Sequence, residues 1–355
     1  MKVFLTNFHY KKDYSSFRDY ALAGALYSLL AIPTICYYTI SKTRNFLYKK
    51  GLIKTFQSRV YTISVGNLTT GGTGKTPITA QIANYLFNRG ERPVILSRGY
   101  GGTLSNKEVN IVSDGKIINF TAKEAGDEPF WLAEHCKGTG VLTCSSRIKA
   151  AKLAQSKLRA TRLILDDGYQ HQKLKRDLNI LVVDCEKQFS NGFVLPMGAL
   201  REPLSEIKRA DKIIVVNKSF NEKRGKTYAR FLQKTYKKPA FVCSMVPDSV
   251  YNIKTGELIK DNLPVTAFCA IGQPEQFYGF LRGYDVLGTM SYPDHHLYTK
   301  EDINELLDLK QKYGAQAIIT TEKDAVKIKD LLNDDCEIYA LKLAPVLDLK
   351  SILDE

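Results

Sequence analysis

A mostly parallel α/β fold is predicted by three observations. Short, almost continuous apolar runs alternate with helix-length segments from residue 60 onward. One run feeds a glycine-rich loop closing in Gly-Lys-Thr, and another ends in two consecutive aspartates. Continuous apolarity fits strands covered on both faces, because a half-exposed strand would alternate. The expectation is an α/β protein with a mostly parallel sheet and helices on both faces. A smaller C-terminal α/β domain follows, joined by a β-hairpin linker.

The elements follow in order. Tyr20 to Ser41 carries no charge, and a helix over that stretch would span about 33 Å. Pro33 interrupts it, and Tyr37, Tyr38 and Thr39 give its second half an interfacial character. Both flanks are basic: Lys11, Lys12 and Arg18 before, then Lys42, Arg44, Lys49, Lys50 and Lys54 after. A full span would strand one positive flank on the wrong side, whereas a helix dipping into one leaflet keeps both beside anionic headgroups. The competing reading is an ordinary buried helix. No small-residue cleavage site follows the segment, which argues against a cleaved signal peptide.

Strands are then expected at Tyr61–Val65, Val94–Ser97, Val141–Cys144, Leu163–Leu165, Ile180–Val183, Ile213–Val216 and Phe241–Cys243. Val250–Lys260 is polar, with a Thr-Gly turn between two short alternating runs, and reads as a hairpin. A second α/β unit follows: strand Val265–Ala270, a Gly-Gln-Pro turn, helix Pro274–Leu281, strand Val286–Ser291, helix Lys300–Tyr313 and strand Ala317–Thr320. The expected organisation is an N-terminal membrane-associating helix (1–45), a phosphate-loop domain (46–245), a hairpin linker (246–262) and a C-terminal α/β domain (263–355).

The 355 residues carry a net charge of +14, which favours an anionic partner. The excess is spread along the chain without a zinc-finger or RNP-like motif, so nucleic acid is not the expected partner. The 7 cysteines are scattered with no C-x-x-C spacing, which points to reduced thiols, not disulfides or zinc.

Val65 to Pro77 reads VGNLTTGGTGKTP. A glycine-rich turn between strand and helix is a phosphate cradle, with loop N–H groups and the positive helix end facing the anion. This context makes the sheet P-loop NTPase-like. Thr69, Thr70, Gly71, Gly72, Thr73, Gly74, Lys75 and Thr76 form the expected nucleotide site. Lys75 would reach the β- and γ-phosphates, and Thr76 would present its hydroxyl to Mg²⁺. The generic loop has glycine where this chain has Thr69, so the match is to a variant.

LILDDGYQH (Leu163 to His171) places Asp166 and Asp167 at a strand end as metal-side carboxylates, with His171 nearby. AGDEPFWLAEHC (Ala125 to Cys136) reads first as a helix start, with Asp127 at the cap and Glu128 and Pro129 in the first turn. Its functional reading is a carboxylate that deprotonates an acceptor hydroxyl. LSRGYGG (Leu96 to Gly102) either approaches phosphate or simply turns. LREP (Leu200 to Pro203) offers an Arg201–Glu202 pair, whose plain reading is a weak surface contact. YPDHHLYT (Tyr292 to Thr299) sets an aspartate and two histidines on one loop edge, and TTEKD (Thr320 to Asp324) reads as a helix cap with a charged first turn.

The order of GNLTTGGTGKTP, LSRGYGG, GDEP, DDGYQH, LREP, YPDHH and TTEKD resembles the lipid A 4′-kinase family (tetraacyldisaccharide 4′-kinases) of Gram-negative bacteria, over nearly the whole chain. That family shares the missing first loop glycine. The resemblance implies ATP and Mg²⁺ as cofactors and phosphorylation of the 4′-hydroxyl of a lipid A disaccharide 1-phosphate precursor. It implies a peripheral or monotopic enzyme on the cytoplasmic face of the inner membrane, held to an anionic surface without an obligate protein partner. Carried over, Lys75 and Thr76 match the loop lysine and the Mg²⁺-facing threonine, Asp127 the catalytic carboxylate and His295 its partner. Asp166 and Asp167 match the metal-side carboxylates, Arg201 and Glu202 the charged pair. His295 is preferred to His296 because the family pattern is Asp-His followed by a variable residue.

Two rivals share the phosphate loop. A membrane-anchored switch ATPase of the partitioning type needs no hydroxyl-side base. A metal-centre maturation GTPase would account for IVVNK (Ile214 to Lys218), but Phe220 stands where its aspartate belongs, and no Cys/His cluster accompanies it.

Overall fold

The computed structural model describes residues 17–219, 221–259, 262–271, 274–293, 296–333 and 336–354. The chain forms two compact units. The first comprises Met1–Val216, Gly225–Cys243 and Leu347–Glu355; the second comprises Asn217–Arg224 and Ser244–Val346.

The first unit opens with helix α1 (Phe17–Lys49), which continues through Pro33 without a break. Pro33 therefore does not end the helix, contrary to the sequence expectation. The helix is inverted relative to a buried one. Thr34, Ser41 and Asn45 are buried, while Leu29, Ile32 and Ile40 are 74%, 74% and 69% exposed. Its polar side is fastened down: Met197 N–H donates to Thr34 Oγ1 at 3.2 Å, Tyr37 Oη to the Arg201 carbonyl at 2.8 Å, and Gln172 Nε2 to Asn45 Oδ1 at 2.6 Å. Among the described residues no helix is long and apolar enough to cross a membrane.

The sheet of this unit contains β1 (Tyr61–Gly66), β2 (Pro93–Ser97), β3 (Asn110–Asp114), β4 (Gly140–Thr143), β5 (Arg162–Asp166), β6 (Leu178–Asp184) and β7 (Lys212–Asn217), in the order β7-β6-β1-β5-β2-β4-β3. All the recorded pairings run parallel except β3 with β4. Every residue of β6 and β7 is buried. Successive side chains point to opposite faces, so both faces are covered. Helix α2 (Lys75–Asn88) follows β1, α3 (Ala122–Ala125) and α4 (Asp127–His135) precede β4, α5 (Arg147–Ser156) precedes β5, and α6 (Glu222–Tyr236) follows β7. One core packs Leu181, Val183, Ile213 and Val215 against Tyr228, Ala229 and Leu232 of α6. Another packs Val94, Leu96, Leu142, Leu163 and Leu165 against Ala150, Ala151 and Ala154 of α5.

The second unit carries most of β8 (Ala240–Asn252), then β9 (Pro264–Cys269), α7 (Pro274–Phe280), β10 (Asp285–Ser291), α8 (Lys300–Tyr313), β11 (Ala317–Thr321), α9 (Glu322–Ile328) and β12 (Ile338–Val346). Its strand order is β10-β9-β11-β12-β8, parallel except for β12 against β8. Backbone bonds Ile259 N–H to Val250 O and Asn252 N–H to Glu257 O close the hairpin. Helix α10 (Leu349–Leu353) belongs to the first unit, where Lys212 Nζ donates to the Ile352 carbonyl at 2.9 Å. Strands β3 and β12 are absent from the sequence expectation. β3 is short and only half-buried at its start, whereas β12 does carry an apolar run, Ile338–Leu341, that the sequence reading passed over.

Candidate active site

In a doubly wound sheet, ligands bind beyond the carboxyl ends of the strands, where strand order reverses. Strand β1 lies between β5 and β6, and the phosphate loop leaves its carboxyl end. The loop is anchored by strand-like contacts to the LREP segment. Thr70 N–H donates to the Ala199 carbonyl at 2.8 Å, and Arg201 N–H donates to the Leu68 carbonyl at 2.7 Å. Thr69 pairs with Leu200 in an antiparallel bridge. This extended pairing suits a threonine and explains why the loop does without glycine at that position. Gly74 takes over the left-handed turn into α2, with φ 85°.

Lys75 and Asp167 face each other, Nζ to Oδ1 3.6 Å. Arg201 Nη1 donates to both Asp167 oxygens, at 3.0 and 2.8 Å. Burial pushes the Asp167 carboxyl up, but Lys75 and Arg201 together hold it below the usual range. Asp166, at the end of β5, is 2% exposed and accepts a hydrogen bond from Thr79 Oγ1 at 2.9 Å. Burial, then Glu128 and Asp167, push its carboxyl up to about 6. The expected Arg201–Glu202 pair does not form. Arg201 pairs with Asp167, while Glu202 is buried against Arg209 and Gln170. Adjacent residues of an extended segment point apart, which separates them.

Gly126, not Asp127, caps α4, with φ 94° and ψ 150°. A side chain at Gly126 would come within 2.6 Å of the Tyr100 carbonyl, so this glycine lets the GDEP and LSRGYGG turns touch. Asp127 is the first helical residue and is exposed. Among the described residues it makes no side-chain hydrogen bond or ion pair. The capping role that the sequence favoured is therefore filled by the backbone of its neighbour.

A cavity of about 600 Å³ opens beside these groups. Asp166, Asp167, Arg201, Thr70 and Glu128 line one part, Arg98, Tyr100, Arg147 and His171 another, and Tyr37, Ile40, Ser41 and Arg44 of α1 a third. Thus DDGYQH, LREP, LSRGYGG and the phosphate loop meet, whereas Asp127 itself is not among the lining residues. Arg44, Arg147 and Gln170 were missed. Arg147 had a legible signal: a cation at the first position of a helix, where the dipole disfavours it. It is 3% exposed, donates through Nη1 to the Cys144 carbonyl at 2.7 Å, and leaves Nε without a partner among the described residues. Burial lowers its guanidinium to about 10 despite Asp166 and Asp167 nearby. Burial and the cations Arg147, Arg176, Lys173 and Arg44 lower the His171 imidazole to about 4.

In the second unit His295 lies outside the described residues. His296 is engaged structurally: Nε2 lies 3.0 Å from Asp302 Oδ2, and its ring stacks on Tyr292. Asp302 also closes the capping box of α8 with Thr299. Thr321 caps α9, as TTEKD suggested, and the buried Asp324 accepts from Ala270 N–H at 2.9 Å. Asn217 of IVVNK, the last residue of β7, is fully buried and donates to the Asn221 carbonyl at 3.1 Å, a structural tie to the segment that follows. Among the described residues no group of His, Cys, Asp or Glu could hold a metal by itself.

A phosphate loop at the sheet switch point, with a lysine and an arginine converging on a strand-end aspartate, defines a P-loop phosphotransferase. Residues 26–355 match the profile of the family described as tetraacyldisaccharide-1-P 4′-kinase. The tetraacyldisaccharide 4′-kinase of Desulfotalea psychrophila is 41% identical over 312 residues, 86% of this chain and 89% of that protein. That of Halothermothrix orenii is 35% identical over 349 residues, 92% of this chain and 90% of its own. The crystal structure of LpxK from Aquifex aeolicus in complex with ATP superposes with a TM-score of 0.65 at 32% identity, covering 92% of this chain and 97% of that one. The chain belongs to the tetraacyldisaccharide-1-phosphate 4′-kinase family, and it is a kinase. Membership sets aside the partitioning ATPase and the maturation GTPase.

Proposed function

We propose that this kinase transfers the γ-phosphate of ATP to the 4′-hydroxyl of a lipid A disaccharide 1-phosphate at the cytoplasmic face of the inner membrane. The carrying observation is the cavity that joins the strand-end aspartates to the wall of α1, whose opposite side is apolar and exposed. A headgroup in the cavity would leave its acyl chains beside the exposed stripe of α1. The basic lining from Arg44, Arg98 and Arg147 suits a phosphorylated sugar.

Thr69 to Thr76 would cradle the triphosphate. Lys75 and Arg201, held near each other by Asp167, would neutralise charge developing on the transferring group. Mg²⁺ fits the donor set: Thr76, Asp166 and Asp167 offer only oxygen ligands, and the buried Asp166 carboxylate sits in acidic surroundings. When bound, the ion would supply charge neutralisation at the phosphates. Asp127 would accept the proton of the 4′-hydroxyl as its oxygen bonds to the γ-phosphorus and the bond to ADP breaks. His295 would orient Asp127. The engagement of His296 with Asp302 and Tyr292 supports His295 as the partner.

The test is ATP-dependent phosphorylation of the disaccharide precursor, with the new phosphate located by mass spectrometry. No product, or a phosphate elsewhere on the sugar, would sink the reading. Lys75→Ala should lower turnover by roughly 10³-fold or more at saturating ATP. Asp127→Ala and His295→Ala should each lower turnover by about 10²–10⁴-fold, with smaller changes in ATP affinity. The double variant should be little worse than the worse single, and fully multiplicative losses would reject the pair.

A further inference from the structure

A second cavity, of about 710 Å³, lies away from the phosphate loop, where the end of α1 meets the segment before β6 and the 3₁₀ turn Leu204–Arg209. Lys42, Lys49, Lys175, Arg176, Lys208 and Arg209 line it, against two carboxylates, Glu206 and Asp211. Both carboxylates are already used. Glu206 pairs with Arg209 at 3.1 Å, and Asp211 accepts from Asn179 N–H at 2.8 Å. Among the described residues Lys49, Lys175 and Lys208 have no carboxylate partner. Arg176 is half-buried and donates to the His171 carbonyl at 3.3 Å. Burial and the neighbouring Arg209 lower its guanidinium to about 10, so the site holds more positive charge than it compensates.

Two buried amides in the wall are also incompletely satisfied. Asn45 and Asn179 are each 5% exposed, and among the described residues Asn45 Nδ2 has no acceptor and Asn179 Oδ1 no donor. A buried polar atom without a partner carries the cost of lost hydration with no bond to offset it, so a native structure rarely keeps several together. A simple solvated cationic face would not bury them. The set asks for an anion that also carries hydroxyl donors. Phe46 of α1, 54% exposed, also lines the cavity.

We propose that this cavity binds the phosphodiester and hydroxylated headgroup of an anionic phospholipid, a lipid distinct from the substrate. Arg176 and the lysines would meet the phosphate, Asn45 Nδ2 would donate to it, and Asn179 Oδ1 would accept from a headgroup hydroxyl. The choice of a lipid over a free anion rests on the reading of α1 as a membrane-seated helix.

The experiment uses water-soluble dihexanoyl lipids below their micelle concentration, titrated calorimetrically into the full chain. Dihexanoyl-phosphatidylglycerol should bind and dihexanoyl-phosphatidylcholine should not. Lys175→Gln/Lys208→Gln and, separately, Arg176→Gln should weaken phosphatidylglycerol binding by roughly tenfold or more. The exposed lysine pair keeps the test sound should Arg176→Gln perturb folding. Turnover on detergent-dispersed acceptor should stay at the wild-type level in the lysine pair variant. Equal binding of the two lipids, or full binding by the lysine variant, would overturn the site. Inorganic phosphate binding as tightly as phosphatidylglycerol would overturn the lipid assignment. Failure of α1 to partition into vesicles would count against the membrane reading alone, since no bilayer enters this titration.

Discussion

His171 shows how a single residue couples the site to solution conditions. Its imidazole is half-buried, its Nε2 has no partner among the described residues, and four cations surround it. Burial and those cations lower it to about 4, against roughly 6.5 in the unfolded chain. A depressed histidine is neutral in the fold and costs nothing above its unfolded value. Below about pH 6.5 the unfolded chain takes up a proton that the fold refuses, so stability falls until about pH 4 and then levels. Allowing for its partial exposure, the loss amounts to about 1–3 kcal/mol. His171→Gln should therefore lose less melting temperature than the wild type between pH 7 and pH 4.5. Parallel pH curves for the two proteins would contradict the assignment. Asp167 teaches a related lesson. Asp-Asp-Gly looks like an ordinary turn, and Asp167 does have a turn conformation, with φ 51°. Its place beside the phosphate loop is visible only in the fold, where Lys75 and Arg201 converge on it.

At the scale of elements, α1 is the part of the fold on which the proposed membrane docking turns. A soluble helix turns its apolar side inward; this one turns Thr34, Ser41 and Asn45 inward and leaves Leu29, Ile32 and Ile40 outside. Leu29→Ser/Ile32→Ser/Ile40→Ser should weaken vesicle binding by at least roughly tenfold, since each side chain contributes about 1.5–3 kcal/mol when buried in lipid. Its melting temperature should barely move. Thr34→Val should do the reverse, sparing vesicle binding while costing about 1 kcal/mol of stability through the lost bond from Met197. Unchanged sedimentation of the triple variant with vesicles would remove α1 as the docking element. Absence of charge made the helix legible. Its orientation was not, because the groups that fix it lie on Met197, Arg201 and Gln172.

For the whole molecule, the two units have cores that share no residue. Phe268, Ile318 and Ile338 anchor one core of the second unit, while Leu181, Val183 and Leu232 belong to the first. Nucleotide bound to the phosphate loop should therefore stabilise the first unit directly. At MgATP 100-fold above its dissociation constant the gain is about 2.7 kcal/mol. Hydrogen exchange should slow by that factor in β1, β5 and β6, and not in β9 and β11. Equal slowing in both would show a single cooperative unit. The α/β alternation of the second unit was legible down to α8, whose sequence bounds match the structure at Lys300 and Tyr313. The return of α10 to the first unit was not, since a short C-terminal helix carries no mark of its destination.

Local chemistry was determined by the sequence alone. Apolar runs set the buried strands, because a strand enclosed on both faces cannot tolerate polar alternation. The order of strand, glycine-rich loop and Gly-Lys-Thr set the phosphate cradle, because its donors are backbone groups of contiguous residues. Tertiary structure decided everything that depends on distant partners. It placed Arg201 on Asp167 and Glu202 on Arg209, and it gave the helix cap to Gly126, leaving Asp127 exposed. It brought Arg44 and Arg147 to the cavity wall. It also turned α1 inside out. Burial, desolvation and ion pairing are properties of packed neighbours, and packing brings together residues that the linear order separates, by 164 positions for Tyr37 and Arg201.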